Sequence, residues 1–273
     1  MIMNQPTFYQ GVAFNEVPDS ANQIHGDSVA AQFGFEGGLV PGVTVSAYLA
    51  HPAVVAWGLD YVARGAAAVV VEKPVYDGHP FSVEVRMDGE HAYDAVLKDL
   101  TGSIRARARC WLPAALPVAP QRRGDAIVAA GGERPPGTPD TMRRLQHSGM
   151  GALRLRWSEA AELTRYFSDS NLMPTPLQAD GGRHAHLGFV LGLTNWILDS
   201  NVYINPWLHL QTDSQCFSAI EYGRELIVES AIVDLLEKKG HHFCDVDVAA
   251  FDIADDAPVM RTRLRAIYQL RGM

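Results

Sequence analysis

The sequence predicts an α+β chain built twice over, each half a long apolar helix followed by antiparallel strands that wrap around it. Three observations carry this reading. A proline- and glycine-rich stretch at 113–150 separates two parts of similar length, and segments such as Pro135-Pro136-Gly137-Thr138-Pro139 extend neither a helix nor a central strand. The two parts repeat one order of elements, with strands grouped after a helix instead of alternating with helices. Short patterns also recur: Gly78-x-x-Phe81-x-Val83-Glu84 is echoed by Gly223-x-x-Leu226-x-Val228-Glu229, and Arg105/Arg107/Arg109 by Arg261/Arg263/Arg265. The chain thus divides into residues 1–112, a linker at 113–150 and residues 151–273.

In order, the first part opens with an irregular segment to Ser20 and a short helix at Ser28–Phe33. A glycine-rich turn, Gly37-Gly38-Leu39-Val40-Pro41-Gly42, leads into a long apolar helix from about Val43 to Val62. Strands are expected at Ala67–Glu72, Phe81–Met87, Ala92–Leu97 and Ile104–Leu112. Phe81-Ser82-Val83-Glu84-Val85 alternates with period two, as a half-buried antiparallel strand does. Thr141–His147 suits a short helix within the linker. In the second part, Leu187, Val190, Leu191, Thr194, Ile197 and Leu198 form one stripe of a helix at His186–Ser200. Strands follow at Trp207–Gln211, Glu225–Leu236, His242–Phe251 and Met260–Leu270, and the spacing of the echoes predicts a longer middle hairpin than in the first part.

Composition narrows the function. The 273 residues are 47% hydrophobic and 20% charged, an ordinary globular balance. A formal charge of -8 argues against a nucleic-acid partner, which needs a basic surface to neutralise phosphates. Cys110, Cys216 and Cys244 lie far apart, which fits a reducing compartment better than a disulfide framework. Neither a basic-then-apolar leader nor a membrane-length apolar run is present, so the expectation is a cytoplasmic protein with no membrane partner. No dinucleotide or P-loop glycine pattern follows a strand, and neither His184/His186 nor His241/His242 has metal-ligand spacing; no cofactor and no metal are expected.

The chemistry concentrates in Pro18–Gly42. His25 lies in a loop between Asn22 and Asp27, and the glycine turn opens the long helix. A helix start offers unpaired amides and a positive dipole end, so a loop histidine beside one suits acid/base chemistry on a carbonyl that gains negative charge. Asp27 is read as the cap of the short helix and Asn22 as a residue that fixes the loop.

The run Asn22-x-Ile24-His25-x-Asp27-x-x-x-Ala31-x-x-x-Phe35-x-Gly37-x-Leu39-Val40-Pro41-Gly42 resembles the hydratase motif of MaoC-like hot-dog proteins, and Lys73-Pro74-Val75-Tyr76-Asp77-Gly78 resembles the start of a strand in that family. With two such halves the chain is similar to double hot-dog members, in which one polypeptide replaces a homodimer. The resemblance implies an acyl thioester of coenzyme A or acyl carrier protein as partner, reversible hydration of a 2-enoyl thioester as the reaction, and oligomers of double hot-dog units. It implies His25, Asp19 and Asn22 as the catalytic set, and Gly38, Pro41, Gly42, Val43 and Trp196 as substrate-binding. The family motif reads D-x-N-P-x-H; here Ser20 holds the aspartate position and Gln23 the proline position, and Asp19 is the carboxylate that a local bulge would bring in. The second half echoes the motif in Asp169-Ser170-Asn171 but has Pro174 at the histidine position. Alternatives remain: a thioesterase using Glu36 and water, or another biosynthetic reaction, on the same fold, or a non-catalytic acyl-binding subunit because Ser20 replaces the motif aspartate. A single acyl tunnel is expected near His25 and Gly42, walled by Phe189, Leu193 and Trp196. The arginine ladders are read as solvated strand faces, with coenzyme phosphates as the lesser alternative.

Overall fold

The computed structural model describes residues 4–129, 132–160, 163–169, 171–172, 174–181 and 183–272, and Ser170 of the second motif echo therefore lies outside the described residues. The first half holds β1 (Tyr9–Val12), a 3-10 turn (Gln23–His25), α1 (Asp27–Gln32), α2 (Gly42–Trp57), α3 (Leu59–Arg64), β2 (Ala66–Val71), β3 (Pro80–Met87), β4 (Ala92–Asp99) and β5 (Ile104–Trp111). After α4 (Pro139–Ser148) come β6 (Leu153–Arg156), α5 (Thr164–Ser168), a 3-10 turn (Thr175–Gly181), α6 (Leu187–Asn201), β7 (Leu208–Cys216), β8 (Glu225–Lys238), β9 (His241–Asp252) and β10 (Pro258–Gln269). One helix expected to run from Val43 to Val62 is instead α2 and α3, broken at Gly58. The segment expected to be irregular up to Ser20 contains β1, whose four residues show too short an alternation to be read alone.

The strands form one sheet in the order β1-β3-β4-β5-β2-β7-β10-β9-β8-β6. That order is the same on either side of the β2–β7 junction, which is antiparallel with Ala66 opposite Gln215 and Val70 opposite Gln211. The two sequence echoes occupy equivalent strands, β3 with β8 and β5 with β10. The middle hairpin β8–β9 is longer than β3–β4, as expected.

Helices α2 and α6 pack together inside the curl of the sheet. This explains why both are apolar nearly all round: each has the sheet on one side and its counterpart on the other. Strand β5 sends Ala106, Ala108 and Cys110 inward beneath α2, and these small side chains let the helix sit close to the sheet. Its arginines point outward and pair with carboxylates: Arg105 with Asp99, Arg107 with Glu72, and Arg109 with Asp88 and Asp94. Arg261 and Arg265 pair likewise with Asp247 and Asp245. These pairs identify the ladders as solvated faces in ionic register across strands.

The stretch between β5 and β6 is pinned at Glu229 of β8. This buried carboxylate accepts from the backbone amides of Arg123, Gly124 and Asp125 and meets the Arg122 guanidinium at 3.4 Å. No helix among the described residues is long and apolar enough to cross a membrane.

Candidate active site

His25 is held from three sides. Asn15 Nδ2 donates to its carbonyl at 2.9 Å, Leu39 N donates to the Ile24 carbonyl at 3.1 Å, and Gly38 N donates to Asp27 Oδ1 at 2.7 Å. Asp27 is thus the first residue of α1 and a clamp on the glycine turn, with Gly26 in the cap position expected for Asp27. Gly38 is required there, because a Cβ on it would stand 2.2 Å from the His25 carbonyl oxygen.

The hydrogen bonds define the ring's tautomer. His25 Nδ1 lies 2.7 Å from the Leu39 carbonyl oxygen, which can only accept, so Nδ1 carries the proton. Nε2 then presents a lone pair and receives a long contact, 3.3 Å, from Asn22 Nδ2. Burial lowers the ring's pKa from 6.5 to about 4, with the Leu39 carbonyl opposing. His25 is therefore a neutral imidazole, oriented by its backbone partner and basic at Nε2.

Asn22 ties this loop to the second half. Its Nδ2 donates to the Trp207 carbonyl at 3.1 Å, and its Oδ1 accepts from Trp207 N at 3.1 Å. Strand β7 then runs alongside the start of α2, where a Cβ on Gly42 would stand 2.7 Å from the His209 side chain. Gly42 and Val43 open α2, so their amides have no acceptor within the helix.

Between these elements lies a cavity of about 230 Å³ lined by Asn22, His25, Gly42, Asn195, Trp207 and His209 among others. Its remaining wall is mostly apolar, from Ile24, Phe35, Leu39, Val40, Val45 and Val71, with Glu72 and Lys73 also reaching it. His209 donates to or accepts from Thr212 Oγ at Nε2, its Nδ1 is buried without a partner among the described residues, and burial lowers its pKa to about 3.

The structure brings together His25, Asn22 and Gly42 but not the whole expected set. Asp19 is exposed in a turn closed by Ser20 N and the Val17 carbonyl, and it is not among the cavity's lining residues. Ser20 Oγ accepts from Asn22 N at 3.2 Å. Gly38, Pro41 and Val43 are buried behind the lining. Trp196, Phe189 and Leu193 belong to the second-half core, with Trp196 packed on Tyr166 and Phe189; the neighbouring Asn195 faces the cavity instead. Glu36 is exposed and also outside the lining. His209, Asn195 and Trp207 escaped the sequence reading as site residues. The available signals were modest: one amide within an apolar helix, and a histidine two positions from a tryptophan in a strand.

The second half ends differently at the equivalent helix start. His186 caps α6 with its own ring, Nδ1 accepting from Phe189 N and Nε2 lying 3.1 Å from the Tyr166 carbonyl. Asp169 is buried and accepts from Tyr48 Oη and from Asn171 N.

No protein-family model matches the sequence, and no curated protein matches it. Solved structures do. A Mycobacterium tuberculosis protein described as having a double hotdog fold is 16% identical, with 97% of this chain and 96% of that chain covered and a TM-score of 0.60. A Chloroflexus aurantiacus protein named as a MaoC domain dehydratase is 12% identical over 100% of this chain and 97% of that chain, with a TM-score of 0.54. A Lactobacillus plantarum protein named as an oleoyl thioesterase is 10% identical over 97% of both chains, with a TM-score of 0.51. The chain has the double hot-dog fold.

Proposed function

We propose that the chain is a hydro-lyase that adds water to a 2-enoyl thioester, or removes it from a 3-hydroxyacyl thioester, with coenzyme A or acyl carrier protein as the thiol. The observation that carries this reading is the tautomer of His25: Nδ1–H is committed to Leu39, so the lone pair lies at Nε2, held only by the long 3.3 Å contact from Asn22 Nδ2, in a mostly apolar cavity that also reaches the start of α2. In the hydration direction, Nε2 takes a proton from water as its oxygen bonds to C3. The double-bond electrons move through C2 toward the thioester oxygen, where the Gly42 amide at the start of α2 donates. Nε2–H then delivers its proton to C2, which restores the neutral ring. The ring's transient positive charge and the oxygen's negative charge arise in one low-dielectric space, so each offsets the other.

The fold alone admits thioester hydrolysis too, and the neighbours' names include both activities. Hydration is preferred here because the cavity holds an oriented imidazole base, whereas Glu72, the carboxylate that reaches it, is paired with Arg107 at 2.8 Å. The test is loss of enoyl absorbance from crotonyl-CoA with purified protein, run beside a free-thiol assay. His25→Ala is expected to lower kcat by ~10²–10⁴-fold, the usual contribution of a positioned acid/base. Thiol release without loss of enoyl absorbance would replace the hydro-lyase reading with hydrolysis.

A further inference from the structure

Helix α6 is buried without interruption from Leu187 to Thr194, apolar as far as Leu193, and buried again at Ile197 and Leu198. Asn195 breaks that run where α6 meets the His25 cavity. Its Oδ1 lies 3.3 Å from Thr194 Oγ, whose proton goes to the Leu191 carbonyl at 2.7 Å. Its Nδ2 has no acceptor among the described residues. Asn195 is half-buried at the cavity wall, so its two N–H donors are left for water or a ligand. The other amide of the cavity, Asn22, has both its oxygen and its nitrogen occupied by Trp207 and His25. Asn195 is therefore the amide with donors to spare.

Resting on the hydro-lyase reading, we propose that Asn195 holds the oxygen that joins or leaves the substrate at C3. Asn195 Nδ2–H donates to that oxygen, while His25 Nε2 takes or returns the proton. In dehydration, C2 loses a proton to Nε2, the C2–C3 double bond forms, and the C3–O bond breaks. The leaving oxygen receives the proton from Nε2–H and departs as water. Asn195 gains and loses nothing; its donor stabilises the electron density that the oxygen carries away. Hydration is the reverse. A donor supplied by the second half in this way makes a carboxylate at position 20 unnecessary.

The experiment is calorimetric titration of the full chain with butyryl-CoA and with 3-hydroxybutyryl-CoA, in a His25→Ala background that prevents turnover. The parent is expected to bind the hydroxylated ligand more tightly. Asn195→Ala should lose about 10-fold for that ligand, the worth of one hydrogen bond, with butyryl-CoA unchanged. Asn195→Asp, similar in shape but without the donor, should lose the preference too. With His25 present, Asn195→Ala should lower kcat for crotonyl-CoA more than it raises KM. The contact is overturned by equal losses for both ligands, by absence of the preference in the parent, by no binding of either ligand, or by an Asn195→Asp that keeps the preference. A preference carried by Asn195, together with no hydration of crotonyl-CoA, would retain the contact and remove the hydro-lyase reading.

Discussion

At the scale of single residues, protonation is set by burial. His25 is neutral because burial lowers its pKa to about 4, and it must be neutral at Nε2 to act. The acid limb of kcat/KM for crotonyl-CoA should therefore fall near pH 4, not near the ordinary imidazole value, and a limb near 6.5 would remove His25 as the titrating base. The same depression bears on stability: the unfolded chain binds the proton more readily, so this contribution is lost as pH falls from 6.5 through about 4. Glu16 has the opposite sign. Burial raises its pKa from 4.5 to about 8, with the Thr44 hydrogen bond opposing and the Asp169 charge adding. Its folded form binds the extra proton, so its contribution is full below 4.5 and is lost as pH rises through about 8. Glu16→Gln keeps an acceptor for Thr44 and carries no charge. Denaturation midpoints across this window should decline less steeply in Glu16→Gln than in the parent.

At the scale of elements, the meeting of α2 and β7 makes the cavity. Gly42 permits that approach, since its Cβ would stand 2.7 Å from Cβ of His209, an atom that no side-chain rotation moves. Gly42→Ala should therefore push α2 from β7, destabilise the fold by about 1–3 kcal/mol as other overpacked sites do, and lower turnover. Chemical denaturation reads the first effect and crotonyl-CoA kinetics the second; an unchanged midpoint would contradict the close packing. Helix α6 shows what a self-contained start looks like. The ring of His186 accepts from the helix amide of Phe189 and lies T-shaped to Trp157.

At the scale of the molecule, the sheet is nearly symmetric about the β2–β7 junction while the two helix starts are not. One start is open to the cavity and the other is closed by its own cap. Butyryl-CoA should accordingly saturate at one equivalent per chain in a calorimetric titration. Two equal sites per chain would show that the closed end opens in solution.

Local order was legible in the sequence. Period-two alternation marked β3, the apolar stripe marked α6, and the recurrence of Gly-x-x-hydrophobic-x-Val-Glu placed β3 and β8 in equivalent strands, because each signal is carried by neighbours along the chain. The motif around Asn22, His25 and Gly42 was legible for the same reason. What only the tertiary structure decided was which groups face that motif. Asp19 is one residue from the expected position, and the turn at Val17–Ser20 directs it to solvent. On α6 a single step along the helix separates Trp196, packed in the second-half core, from Asn195 in the cavity, a difference of about 100° that depends on how α6 is rotated against α2. His209 and Trp207 reach the site through the antiparallel junction of β2 with β7, which joins residues far apart in the chain. A sequence specifies its local periodicities directly, whereas the contents of a cavity depend on the packing of elements that only meet once the sheet has closed around both helices.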